Sequence, residues 1–325
     1  MHGLAQIAIC TNDIPRTIRT YVEVLGFDNA GGRPRWGEYV SRVQELPAAD
    51  DASCLMWWLV GAQDFVQIEL FHHTSPLQRP RRAEWRPSDL GWVRFGILVP
   101  DFEGTLDRMA HAGLATMTDP MGPAGERRVC FREPNGDTII ELFERHPRPS
   151  GTMASAAPSV VYAAASVSDL DAARAYFVGA IGCPELAPDT LHTQEHEALW
   201  GLDGAESDRA VLRAGDVLLE LSRYRDPAPR RPAPDALLSD QGIMNIALGY
   251  RDRDEVVRAH AAATALGATA TMPVPVESGG LYLRLVDRLS LELLLVPEEL
   301  DGSYGFLPQE LAAAGSVYAV NTEER

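Results

Sequence analysis

Four short apolar strands in this chain each carry a single glutamate: Val66-Gln-Ile-Glu69-Leu, Thr138-Ile-Ile-Glu141-Leu, Val217-Leu-Leu-Glu220-Leu and Ser290-Leu-Glu292-Leu. A carboxylate inside an apolar strand is costly to bury alone, so each must meet water, a ligand or a countercharge. Four other strands are headed by a polar or aromatic residue lying seven positions before an aspartate. The heads are Gln6, Arg94, Tyr162 and Asn245, and the aspartates are Asp13, Asp101, Asp169 and Asp252. Residues of these types can move protons, grip an anion through a guanidinium, or supply oxygen ligands to a cation. Arg94 precedes Glu141 by 47 residues and Asn245 precedes Glu292 by the same 47. Glu69 and Glu220, Arg94 and Asn245, and Glu141 and Glu292 are each offset by 151.

Those spacings require a repeated element, and its parts are legible. Each aspartate stands where a helix N-cap belongs, its carboxylate ready to accept from the orphan N–H groups of the first turn. The helices are expected at Ile14–Gly26, Phe102–Gly113, Leu170–Gly182 and Glu255–Gly267, each stopping at a glycine. A strand, a capped helix and a glutamate-bearing strand recur four times, so the chain reads as a duplication of a duplication. The segment from His146 to Pro158 has linker composition. The expected division is a first domain over 1–147, a linker over 148–158, a second domain over 159–298 and a tail over 299–325. A second Pro-rich stretch, Arg223–Pro234, reads as a surface loop.

Phe131-Arg-Glu-Pro-Asn-Gly-Asp-Thr-Ile-Ile-Glu-Leu142 closely resembles the closing signature of the vicinal oxygen chelate (glyoxalase/bleomycin-resistance/extradiol dioxygenase) superfamily. Tyr21-Val22 and Leu25-Gly-Phe27 fit the helix end of the first module of that family. The resemblance covers about residues 3–145 and 159–297. It implies an α+β fold of tandem glyoxalase-like domains, each built from two βαβββ modules curved into a half-open barrel. In the family, four inward residues hold a divalent metal that chelates vicinal oxygens of a substrate. The ligand order Gln, Glu, His, Glu of glyoxalase I maps onto Gln6, Glu69, Arg94 and Glu141 of the first half. The second half gives Tyr162, Glu220, Asn245 and Glu292. Arginine stands where the histidine belongs, and a guanidinium is no metal ligand. The second half lacks the two histidines that resemblance to the extradiol or hydroxyphenylpyruvate dioxygenases would require.

Three readings of Glu69, Arg94 and Glu141 stay open. They form a salt-bridged cluster filling a former metal site; or Arg94 clamps a carboxylate or enolate while Glu69 or Glu141 acts as base; or Gln6, Glu69 and Glu141 hold a cation through oxygen alone. No His-ligated metal is expected; a divalent ion (Mg, Mn, Zn, Fe or Ni) is allowed, and oxygen ligands favour Mg or Mn. Gln6, Trp57, His72, Tyr162, Glu220, Asn245 and Glu292 are the candidate substrate contacts. Trp57-Trp58 lies in a strand, so one indole points to each face. His72 follows the Glu69 strand and is placed to overhang the pocket. Trp36, Trp85 and Trp92 are candidates for an aromatic rim. His192-Thr-Gln-Glu195-His196 matches the H-x-x-E-H zinc motif, but its flanks do not supply the helix that motif needs.

Composition narrows the rest. The formal net charge of −17 repels nucleic acid and anionic membranes. All 29 basic residues are arginine, which excludes lysine Schiff bases and P-loop lysines. Cys10, Cys54, Cys130 and Cys183 are scattered and read as buried thiols in a reducing compartment. With no signal-like start and no long apolar run, a cytoplasmic monomer or homodimer with a small-molecule ligand is expected. Two functions from different classes follow. One is an enzyme of specialised metabolism doing lyase, isomerase or cyclase proton-transfer chemistry on an oxygenated molecule. The other is a bleomycin-resistance-like protein that sequesters its ligand without turnover.

Overall fold

The computed structural model describes residues 1–47, 49–147 and 156–309. The first module comprises β1 (Gly3–Cys10), α1 (Ile14–Arg19), β2 (Asp28–Trp36), α2 (Glu38–Val43), β3 (Ser53–Val60) and β4 (Gln67–Ser75). The second has β5 (Gly91–Leu98), α3 (Phe102–His111), β6 (Arg128–Glu133) and β7 (Thr138–Phe143). The third has β8 (Ser159–Ser166), α4 (Leu170–Arg174), β9 (Glu185–Leu186), β10 (Glu206–Ala214) and β11 (Val217–Asp226). The fourth has β12 (Gly242–Tyr250), α5 (Arg253–Ala265), β13 (Thr269–Ala270), β14 (Gly279–Arg284) and β15 (Ser290–Leu295).

The capping aspartates behave as their positions dictate. Asp13, Asp101, Asp169 and Asp252 accept from the backbone N–H of Arg16, Gly104, Ala172 and Asp254 respectively. The glycines that end the helical segments, Gly26, Gly113, Gly182 and Gly267, all have left-handed φ between 72° and 97°. α1 and α4 each run on into a π-helical turn, Thr20–Val24 and Ala175–Ala180, so the repeat extends to a helix irregularity.

The modules assemble into two sheets, and their partners are not the expected ones. One eight-stranded sheet has the order β13-β14-β15-β12-β1-β4-β3-β2; a seven-stranded sheet has β6-β7-β5-β8-β11-β10-β9. β1 pairs antiparallel with β12, and β5 with β8. The first module therefore joins the fourth, and the second joins the third. The architecture is two half-open, glyoxalase-like sheets of two modules each, but each sheet draws one module from either side of the expected linker. Residues 148–155 of that linker lie outside the described residues.

One apolar cluster unites the packed faces of both sheets with the helices, including Ile7, Ile68, Phe95, Ile140, Leu219, Ile246 and Leu291. Alternation then sends Gln6, Glu69, Arg94, Glu141, Glu220, Asn245 and Glu292 to the opposite faces. The expected tail is partly ordered into a strap. Glu298–Tyr304 forms a 3-10 helix, Phe306 packs on Phe65 at 4.4 Å between ring centroids, and Gln309 N–H donates to Asn29 O at 2.9 Å. Residues 310–325 lie outside the described residues. No helix among the described residues is long and apolar enough to cross a membrane.

Candidate functional site

Strand register places the family's four ligand positions twice, once in each sheet. In the larger sheet, Gln6 faces Ala247 and Ala8 faces Asn245 across β1 and β12. Ala8 also pairs with Glu69, and Ala247 with Glu292. A pseudo-twofold axis thus exchanges Gln6 with Asn245 and Glu69 with Glu292. The smaller sheet repeats the arrangement: Arg94 faces Ala164 and Gly96 faces Tyr162, while Gly96 pairs with Glu141 and Ala164 with Glu220. The trio Glu69, Arg94 and Glu141 is consequently not assembled. Glu69 belongs to one sheet, Arg94 and Glu141 to the other. The expectation failed because it paired modules by sequence order, and sequence order does not decide which strand edges meet.

In the smaller sheet's set both carboxylates are fully paired, while Arg94 Nε and Nη1 are buried without a partner among the described residues. Arg94 pairs with Glu220, whose other oxygen meets His192 Nδ1 at 2.9 Å. His192 Nε2 lies 2.8 Å from Glu141 Oε2, which also accepts from the Tyr162 hydroxyl at 2.7 Å; Arg128 stands 3.5 Å from Glu141 Oε1. The Arg94 guanidinium lies 3.8 Å from the centroid of Trp200. None of Arg94, Glu141, Tyr162, His192 and Glu220 is more than 1% exposed, and every carboxylate oxygen already has a donor. Burial works to lower the pKa of His192, but Glu220 and Glu141 outweigh it and raise it above the usual imidazole value. Burial likewise works against ionised Glu141 and Glu220; His192 overcomes it in both and keeps both carboxyls below their usual range. Three basic groups, Arg94, Arg128 and His192, surround the two carboxylates. Arg94 is salt-bridged, but to Glu220 rather than to Glu69 and Glu141 as expected, and His192 links Glu220 to Glu141. The H-x-x-E-H segment supplies that histidine from just before a 3-10 helix (Gln194–Trp200), while His196 turns back to cap it through Thr193. Zinc-motif chemistry has no basis there.

The larger sheet's set remains open. A cavity of about 100 Å³ is lined by Gln6, Glu69 and Glu292 with Arg33, Arg35 and Trp58 at its walls. Burial raises Glu69 to about 7 against the opposing pull of the Trp58 indole, which donates to its Oε1 at 2.9 Å. Glu292 is raised well above the carboxylate range by burial and by Glu69. No arginine or histidine lies within salt-bridge distance of either carboxylate among the described residues. Asn245 donates to Glu292 Oε2 at 3.3 Å, which leaves its Oδ1 buried without a partner. Arg33 stands 5.2 Å from the Trp58 ring and 5.9 Å from Tyr304, with its Nε also unpartnered.

The surrounding backbone is shaped to this cavity. Gly280 lies so close to the Glu292 carboxylate that a Cβ would displace it. Gly305 of the strap, at φ 75°, touches the Trp58 ring where no side chain would fit. Gln67 holds the strap down by donating to Tyr304 O at 3.1 Å.

Four of the expected contacts, Trp57, His72, Tyr162 and Glu220, lie elsewhere. Trp57 packs in the main core and donates to Asn29 at 3.0 Å. Trp58 faces the cavity because it sits directly opposite Glu69 across β3 and β4. His72 points away, its Nδ1 3.0 Å from Thr11 O. His73 shares the face of Glu69 but is buried against Gln44 at 2.7 Å. Tyr162 and Glu220 belong to the smaller sheet's cluster. Gln6 and Glu292 do line the open cavity, whereas Asn245 is fully buried behind it and touches Glu292 through its amide. Trp36 is exposed, whereas Trp85 and Trp92 line a separate cavity.

Among the described residues no group of three or more His, Cys, Asp or Glu is arranged to hold a metal. The open set instead offers two amides and two carboxylates. Two facing glutamates without a countercharge and an orphaned amide oxygen fit a hard divalent cation.

Residues 5–131 match the model of the Glyoxalase/Bleomycin resistance protein/Dioxygenase superfamily. No curated protein matches the sequence. Among solved structures, glyoxalase I from Zea mays aligns at 16% identity over 90% of this chain and 92% of its own, with a TM-score of 0.61. A putative dioxygenase from Bacillus subtilis aligns at 14% identity over 95% of this chain and 98% of its own, with a TM-score of 0.60. At such identities the likeness is one of fold, and it embraces all four modules. The superfamily model thus covers most of the first two modules, and the likeness of fold to these solved structures extends over all four.

Proposed function

We propose that this protein is a proton-transfer enzyme acting on a small, oxygenated, anionic organic molecule at the Gln6–Glu69–Asn245–Glu292 site. The observation that supports this is the pair of buried carboxyls, both with raised proton affinity and neither salt-bridged among the described residues. Burial raises Glu69 to about 7 and, together with the charge of Glu69, lifts Glu292 well above the usual carboxylate range, so the two carboxyls compete for a proton near neutral pH. A base and an acid so placed can remove a proton from a carbon next to a carbonyl and return one at the neighbouring position. Trp58 holds Glu69 Oε1, which fixes the carboxylate plane and leaves the other oxygen to accept. Arg33 and Arg35 supply positive charge in the cavity wall, suited to a carboxylate or to a developing enolate.

A divalent cation held by Gln6, Glu69, Asn245 and Glu292 would polarise vicinal oxygens of the substrate as a Lewis acid. Asparagine then stands where glyoxalase I has histidine, an oxygen donor in place of a nitrogen. That choice favours Mg²⁺ or Mn²⁺ over Zn²⁺.

The reaction class is tested by proton NMR in D2O with a panel of α-hydroxycarbonyl acids. The wild-type protein is expected to wash deuterium into the carbon beside the carbonyl of at least one member. Glu69→Gln should abolish the exchange while keeping affinity for that compound. Tight binding of panel members with no exchange by the wild type would make the protein a sequestering one instead.

A further inference from the structure

A second, larger cavity lies between the two sheets, separated from the open carboxylate site by Gln44, which lines both. It encloses about 1010 Å³, at the upper end of the range for small-molecule pockets. Its walls come from the segment before β5, the Pro-rich loop before β12 and the turn between β14 and β15. Trp92, Leu237, Leu238 and Met244 give it apolar surface.

The charge of the lining runs against the rest of the protein. Seven arginines and five carboxylates face the cavity, a local excess of two positive charges in a chain of net charge −17. Four of those arginines are neutralised across the cavity. Arg79 binds Asp235 and Asp240, Arg230 binds Asp89, Arg284 binds Glu45 and Arg231 reaches Asp287. These bridges tie the loops together and define the walls. Arg81, Arg82 and Arg288 have no carboxylate within salt-bridge distance among the described residues.

Arg81 is the most telling of the three. Its guanidinium lies flat against Trp85, 3.4 Å from the ring centroid, and donates to the carbonyls of Asp137 at 2.9 Å and Trp92 at 3.5 Å. Carbonyls hold the group in place without cancelling its charge. Desolvation there draws its pKa down to about 9 against the opposing pull of Asp137 and Asp89. Asp287 and Arg288, consecutive and both left-handed at φ 57° and 61°, form the turn at the rim. Asp287 is fixed by the backbone N–H and hydroxyl of Ser168 at 2.6 and 2.7 Å, which locks this turn beside the opening.

We propose that this inter-sheet cavity is a second ligand site, for a planar aromatic molecule carrying an anionic group. The anion would sit among Arg81, Arg82 and Arg288, and the flat apolar body against Trp92, Leu237 and Met244. The site is distinct from the Glu69–Glu292 cavity in position and in sign of charge, and it does not depend on the function proposed there.

The test uses the full chain and 1-naphthalenesulfonate as probe, followed by isothermal titration calorimetry. One saturable site is expected, with neutral 1-naphthol binding far more weakly. The double substitution Arg82→Gln/Arg288→Gln changes two rim side chains without a carboxylate partner, so it should leave the melting temperature unchanged. It should weaken the sulfonate about tenfold, and Arg81→Gln should weaken it further. Glu69→Gln should leave it within twofold. The proposal is overturned by a loss below threefold in the double variant, by equal binding of the neutral probe, by a larger loss in Glu69→Gln than in the double variant, or by the absence of saturable binding.

Discussion

Gln6 and Asn245 are 239 residues apart in sequence, yet they occupy exchanged positions across one antiparallel strand pair, Gln6 opposite Ala247 and Asn245 opposite Ala8. Through that pair the first and last modules share one sheet, and their two glutamates face one cavity. The middle modules share the other sheet, where the same four positions have been filled by a guanidinium, a phenol and two carboxylates cross-linked by His192.

The two buried carboxyls of the open site should cost stability at neutral pH. A carboxyl whose folded pKa is raised binds more protons in the folded than in the unfolded chain between about pH 4.3 and 7, so stability falls as pH rises through that window. Glu69→Gln and Glu292→Gln remove this cost. Each is expected to raise stability at pH 8 by about 0.5–2 kcal/mol while removing activity. Urea unfolding at pH 5 and pH 8 measures the difference, and equal destabilisation at both would contradict it.

The smaller sheet's cluster has the opposite sense. Glu141 and Glu220 have lowered folded pKa values, so their contribution is present above about pH 4.3 and lost as pH falls through the folded values. His192 has a raised folded pKa, so its contribution is complete below about pH 6.5 and lost as pH rises through the folded value. The cluster therefore stabilises most between about pH 4.3 and 6.5. Tyr162→Phe keeps both ion pairs and should preserve this profile; His192→Gln should flatten it, as read from melting temperatures across pH 4 to 9.

Removing one member of the Arg94–Glu220 pair leaves the other charge buried and alone. Arg94→Met is expected to lose about 3–5 kcal/mol, and the double change Arg94→Met/Glu220→Leu should recover part of that loss. A double variant less stable than Arg94→Met would show that the pair does more than neutralise itself.

Trp58 lowers the Glu69 pKa by donating to its ionised form. Trp58→Phe should shift the acid limb of the activity profile upward in pH. Trp57→Phe, which removes a core contact to Asn29, should change stability and leave that limb in place. The reverse pattern would assign the wrong indole to the cavity.

Local features of the fold were legible in the sequence. Four N-capping aspartates, four helix-ending glycines and four glutamate strands follow from periodicity and backbone sterics, which act within a few residues. The 151-residue offsets identified equivalent positions correctly, since Glu69 and Glu220, or Glu141 and Glu292, do occupy matching places in their sheets. The pairing of modules was not legible. β1 could present the same edge to β5 or to β12, and both carry similar apolar alternation. Assigning Arg94 to the site of Gln6 was the consequence. His192 was hidden for another reason: it lies in the long excursion between β9 and β10, and only the folded chain brings it between two glutamates. The choice of Trp58 over Trp57 was open to register reasoning, since the indole opposite Glu69 must share its face.

The central claim is that ligand chemistry belongs to the junction of the first and fourth modules. Mn²⁺ titration followed by electron paramagnetic resonance tests it most directly. One site is expected, tightening as pH rises through about 7 because Glu69 must ionise. Asn245→Ala and Glu292→Gln should abolish the site, and Tyr162→Phe should leave it intact. Binding that survives both fourth-module changes, or disappears with Tyr162→Phe, would contradict the account.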